Sequence, residues 1–110
     1  MDFLPISLRL SGANVLLVGG GQVATRKARL LIKAGARLTV VAPQIGAELQ
    51  QLLDSSEGSW QRDSYSDSAI ADAVLVVAAT PLRNVNEQVY RDATARRLPV
   101  NVVDSPDLCT

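Results

Sequence analysis

Val15-Leu-Leu-Val-Gly-Gly-Gly-Gln-Val-Ala24 decides the reading of this chain. Four apolar residues, Val15 to Val18, read as a buried strand. Three glycines follow, and a helical pattern begins at once. The stretch contains G-x-G-x-x-A, with Gly19, Gly21 and Ala24 at the fixed positions. A strand, a glycine turn and a helix start in that order let a dinucleotide's pyrophosphate approach backbone N–H groups. Gly19 permits the tight turn, Gly21 lets the backbone come close to phosphate, and Ala24 lets the helix lie against the strand. The helix start then offers unpaired N–H groups and the positive end of its dipole. The competing reading is a plain tight turn in another α/β fold.

Working outward, strand and helix patterns alternate. Leu4 to Leu10 alternates apolar and polar residues, as a short strand or an extended lead-in would. Gln22 to Ala34 reads as a helix whose Ala24, Ala28 and Leu31 face the sheet. Its Arg26, Arg29 and Lys33 fall on another face, where a solvated basic face is favoured over ligand contact. Gly35 is placed to end it in the left-handed conformation. Leu38 to Val41 is a second strand, stopped by Pro43, and Ile45, Leu49, Leu52 and Leu53 mark a short amphipathic helix. Ser59 to Arg62 is a third strand around Trp60, read as a packing residue. Tyr65 to Asp72 is polar, with a helical turn or two. Val74 to Ala79 is another continuous apolar run, hence a central strand. Thr80-Pro81 opens the next helix, with Thr80 as its cap and Val85, Val89 and Ala93 as its buried stripe. Asn84 and Asn86 then fall on its surface. Pro99 to Val103 is the last strand.

This alternation predicts an α/β, Rossmann-type fold: a parallel sheet of about five strands in the order 3-2-1-4-5, with helices on both faces. Residues 1–110 make one dinucleotide-binding domain. The crevice falls where the first and fourth strands diverge. It places the Gly19–Gly21 loop opposite Thr80, with Asp104 on the same rim. Contact with the cofactor and capping of the helix are both open to Thr80, and the Thr-Pro pair favours the cap.

Charge and composition narrow the partners. Eleven basic and eleven acidic side chains cancel, so no global field favours nucleic acid or an anionic membrane. No stretch reaches membrane-spanning length, and the start lacks a signal-peptide pattern. A cytoplasmic protein is expected. The lone cysteine, Cys109, allows no internal disulfide and has no base nearby in sequence. Histidine is absent, so imidazole can neither carry protons nor ligate a metal, and no resident metal site is expected.

The standard fingerprint fails at one point. A usual NAD site has an acid about 20 residues after the first glycine, bonded to ribose hydroxyls. Here the second strand runs into Ala42-Pro43-Gln44, and no carboxylate appears before Glu48. The Gln44 amide or the backbone at Pro43 and Gln44 would serve the ribose, unless Pro43-Gln44 is only a helix opening. No Arg or Lys follows this strand to meet a 2′-phosphate, so NAD is favoured over NADP.

Several stretches together resemble the N-terminal module of siroheme synthase, the precorrin-2 dehydrogenase and sirohydrochlorin ferrochelatase. They are Met1-Asp2-x-Leu4-Pro5-Ile6, Val18-Gly-Gly-Gly-x-Val-Ala24-x-Arg26-Lys27, Leu31-x-x-Ala34-Gly-Ala36, Ala78-Ala-Thr80 and Asn101-Val-Val-Asp104. The resemblance runs to about residue 108. It implies NAD-dependent oxidation of precorrin-2 to sirohydrochlorin, then insertion of ferrous iron to give siroheme. It also implies NAD contacts at Gln22, Val23, Pro43 and Gln44, and a carboxylate used in both reactions at Asp104. Position alone leaves Asp104 two roles: a proton acceptor beside the crevice, or a cap on the Ser105-Pro106 turn. The family continues past this point into a segment that completes the tetrapyrrole site and a homodimer, often followed by a methyltransferase domain. This chain would then be the cofactor-binding part of a longer enzyme. Thr80-Pro81-Leu82-Arg83 is less acidic than the corresponding stretch of many relatives. The alternative is a non-catalytic NAD-sensing domain of the same fold. The missing acid after the second strand speaks against it.

Overall fold

A computed structural model describes residues 6–103. Its five strands form one parallel sheet, β1 (Asn14–Val18), β2 (Arg37–Ala42), β3 (Ser59–Arg62), β4 (Leu75–Ala78) and β5 (Val100–Val102), in the expected order β3-β2-β1-β4-β5. The connections are α1 (Gln22–Lys33), α2 (Ala47–Asp54), a 3₁₀ turn at Asp67–Ile70, and α3 (Arg83–Ala95).

The continuous apolar runs have a direct physical reason. Val15 and Leu17 of β1 point into a core shared with Ala24, Ala28 and Leu31 of α1 and Leu49 and Leu53 of α2. Leu16 and Val18 point the other way, into a core with Ile70 and with Val89 and Ala93 of α3. A strand covered on both faces has no polar side to alternate. Val40 and Val41 of β2, and Val77 and Val76 of β4, split between the two cores in the same way.

Gly35 ends α1 with φ 87°, as expected. At the lead-in the structure departs from the alternating pattern. Residues 6–10 form no strand, Ile6 and Leu8 are 70% and 46% exposed, and Leu10 alone packs on the core. Among the described residues both neighbours of β1 are already taken, by β2 and β4. The lead-in pairs with neither edge strand, β3 or β5, and alternation without a partner makes no strand.

The start of α3 also differs. The helix begins at Arg83, Leu82 occupies the cap position, and Thr80 lies ahead of it. The Thr80 hydroxyl still serves the turn, because it accepts the Leu82 N–H at 3.1 Å. Asn86 is 7% exposed rather than on the surface, whereas Asn84 is exposed as expected. No helix among the described residues is long and apolar enough to cross a membrane.

Candidate functional site: the glycine-loop cleft

The C-terminal ends of β1, β2 and β4 open into one cleft of about 620 Å³. One wall is the glycine loop, Gly19 to Gly21. A second is the turn from Ala42 to Gly46. The far wall is Thr80 to Leu82 with Val85, and Ser64 and Tyr65 also line the cleft. The glycine loop and Thr80 thus face each other across the crevice, as the strand order requires.

Each glycine has its own reason. Gly19 takes φ 133°, and a Cβ there would collide with the carbonyl of Ala79. A Cβ on Gly20 would collide with the carbonyl of Gln44, so the β2–α2 turn lies directly on the loop. Gly21 is different. A Cβ there would meet nothing within 4 Å. The protein does not need glycine at 21 for packing or for φ, which is −90°. The space in front of it is open, which is what a closely approaching phosphate needs.

Gly21 is also the N-cap of α1, without a side-chain cap and with no acidic residue in the first helical turn. The first N–H groups of a helix have no partner inside it. Here no side chain competes for them, and the dipole favours an anion at that point. Thr25 is buried beneath the turn, and its hydroxyl donates to the Gly21 carbonyl at 2.8 Å. The open face of Gly21, the uncapped helix start and the cleft volume all suit a dinucleotide.

The remaining sequence candidates divide. Pro43 and Gln44 are exposed and line the cleft. Gln22 is exposed and lines a neighbouring cleft. The side chain of Val23 is half-buried against the core and lines neither cleft. Asn101 lies in β5, in register with Val77 of β4. Asp104 and Cys109 lie outside the described residues. Val103, just before Asp104, donates its N–H to the Ala78 carbonyl at 3.0 Å, at the end of the neighbouring strand. Arg26 and Arg29 are exposed, as a solvated basic face requires, and both line the neighbouring cleft.

Three parts of the site escape a reading of the sequence. Tyr65 lines the cleft, and its hydroxyl donates to Oδ2 of Asp92 on α3 at 2.7 Å. Burial, and then the carboxylate of Asp92, raise the Tyr65 phenol well above its ordinary range. Asn86 holds Thr80 from beneath. Trp60 packs on the core, and its indole N–H donates to the Ala42 carbonyl at 2.9 Å, steadying the strand end that leads into Pro43. None of these contacts follows a helix or strand period, so no sequence pattern carries them.

Fold and cleft together define a Rossmann-type dinucleotide-binding domain. The chain belongs to the family described as "Putative NAD(P)-binding", whose model matches residues 6–110. The expected cofactor, NAD, falls within that description. The chain is 49% identical over all 110 residues to a siroheme synthase of Saccharophagus degradans, and 52% identical to one of Pseudomonas aeruginosa. It spans 24% of the length of each of these relatives. Among solved structures it is similar to SirC, a precorrin-2 dehydrogenase, with a TM-score of 0.82 and 31% identity. That match covers 94% of this chain and 50% of the other. A D-lactate dehydrogenase from Escherichia coli, at 15% identity and a TM-score of 0.68, shares the fold.

Proposed function

We propose that this chain is the NAD-binding part of a siroheme-forming enzyme, which oxidises precorrin-2 to sirohydrochlorin and then inserts ferrous iron. One observation carries the reading: a glycine loop that is open at Gly21 stands in a chain similar over its whole length to siroheme synthases. The similarity to SirC supports the dehydrogenase half more directly than the chelatase half.

The chemistry supplied by a bound nicotinamide is acceptance of hydride. The chain's own residues bind and orient. Backbone N–H groups at Gly21, Gln22 and Val23 hold the pyrophosphate at the uncapped start of α1. Pro43 and Gln44 face the adenosine side, and Thr80 forms the opposite wall. Asp104 is the catalytic residue of this reading. Oxidation of precorrin-2 releases a proton with each hydride, and iron entry displaces pyrrole N–H protons. A carboxylate at this point of the sequence, directly after Val103, can accept both kinds of proton, and within this chain no histidine competes with it. Tetrapyrrole contacts, a homodimer interface and a fused methyltransferase domain belong, on this reading, to the rest of the longer protein.

The test is NAD binding by calorimetry to this chain and to Asp104→Ala, with precorrin-2 turnover followed in the longer protein. Binding kept and turnover lost is the expected result. Turnover that survives returns Asp104 to capping a turn. No NAD binding by the unsubstituted chain removes the reading.

A further inference from the structure

The acid that usually meets the adenosine ribose is missing from the end of β2, where the chain reads Ala42-Pro43-Gln44. The first carboxylate after this strand is Glu48, in the first turn of α2. A second cleft, about 490 Å³, adjoins the first and shares Gly20, Gly21 and Gly46 with it. It lies between the start of α1 and the start of α2. Its charged side chains are Arg26 and Arg29 of α1 and Glu48 of α2. Glu48 stands in the first turn of α2, and its Oε2 is paired with Nη2 of Arg29.

We propose that Glu48 sets the choice between NAD and NADP, by occupying Arg29 and by placing a carboxylate where a 2′-phosphate would sit. The inference rests on the reading of the main cleft as a dinucleotide site. With the pyrophosphate at the start of α1, the adenosine ribose turns toward the loop after β2. The backbone shared by the two clefts, Gly20, Gly21 and Gly46, is that meeting point. Ribose hydroxyls can donate to a carboxylate. A phosphate dianion cannot, and is repelled by it.

The two arginines make the point sharper. Without Glu48, Arg26 and Arg29 on successive turns of α1 would form a pocket suited to phosphate, since guanidinium groups bind it in a forked geometry. Glu48 offsets one of those two charges and occupies the guanidinium of Arg29. Both members of the pair are about half exposed, so the pair adds little to the stability of the fold. Its removal is read in recognition rather than in folding.

Calorimetry with NAD and NADP as probes tests this on three proteins: the unsubstituted chain, Glu48→Gln, and Glu48→Gln combined with Arg29→Ala. The unsubstituted chain is expected to prefer NAD about tenfold or more. Glu48→Gln raises NADP affinity about tenfold and abolishes the preference. The second substitution removes that gain, a result that loss of structure would not produce selectively for NADP. A preference unchanged by Glu48→Gln, or no preference in the unsubstituted chain, overturns the role of Glu48 and leaves the dinucleotide site standing. Binding of neither probe by the unsubstituted chain overturns both.

Discussion

Asn86 grips Thr80 through three hydrogen bonds. Its Oδ1 accepts the Thr80 N–H at 3.3 Å and the Thr80 hydroxyl at 2.8 Å, and its Nδ2 donates to the Thr80 carbonyl at 3.0 Å. One buried amide thus fixes the backbone that forms the far wall of the cleft, six residues upstream. Asn86→Asp keeps the shape but replaces the donor with an oxygen facing a carbonyl. The expected cost is about 1–3 kcal/mol of stability, the usual result of leaving buried polar groups unpaired. Urea denaturation measures it. NAD affinity should fall with it, because the Thr80 wall is no longer held.

Gly21 separates folding from binding. Serine is at least as good a helix cap as glycine, by a few tenths of a kcal/mol, and the space around position 21 is open. Gly21→Ser should therefore change stability by less than about 0.5 kcal/mol. Its hydroxyl would take the N–H groups meant for phosphate and narrow the approach. NAD affinity should drop about tenfold or more. Gly19→Ser makes the contrasting case, since a Cβ there strikes the Ala79 carbonyl and φ is positive. That variant should lose stability first. Paired melting and calorimetry on both variants check the difference.

The sheet was legible because burial on both faces leaves its mark on the strands themselves. Val15–Val18 and Val74–Ala79 contain no polar residue to expose, and the glycine loop follows the first of them directly. What was hidden depends on contacts across the fold. Asn86 looks like an ordinary polar residue of a first helical turn until the Thr80 loop folds over it. Tyr65 and Asp92 lie on separate elements and meet only once the 3₁₀ turn docks on α3. Ile6 and Leu8 go the other way: their alternation suits a short strand or an extended lead-in, and they are exposed and join no strand of the sheet. Local pattern reports which face would be buried and is silent on whether a partner exists.

Arg97 offers a simple gain in stability. It follows α3 with φ 58°, the conformation in which glycine usually ends a helix. A side chain with a Cβ is strained there by about 1–2 kcal/mol, part of which glycine returns as greater freedom of the unfolded chain. Arg97 is exposed, so little packing is lost. Arg97→Gly should raise stability by about 0.5–1 kcal/mol, read as a higher urea midpoint with unchanged slope. An unchanged or lower midpoint would show that the left-handed turn costs this residue nothing.

Tyr65 predicts how stability responds to alkali. Burial is the largest cause of its raised phenol pKa, and the hydrogen bond to Asp92 and the charge of that carboxylate act in the same direction. Asp67 adds to the rise and Arg96 opposes it. Arg96 also donates to the Asp67 carbonyl at 2.9 Å, so the charged groups are held by the same docking of the 3₁₀ turn on α3. The folded phenol keeps its proton at a pH where the unfolded one, near the ordinary value of about 10, has lost it. Above that value the unfolded state binds fewer protons than the folded state, and stability falls as pH rises. The contribution is complete below pH 10 and is lost progressively above it. Solvent reaches part of the ring and moderates the slope. Urea denaturation at pH 9 and pH 11 on the unsubstituted chain and on Tyr65→Phe separates this effect from the titration of lysines, which both proteins share. The unsubstituted chain should lose more stability between the two pH values than the variant. Equal losses would mean that the Asp92 hydrogen bond does not hold the phenol in its protonated form.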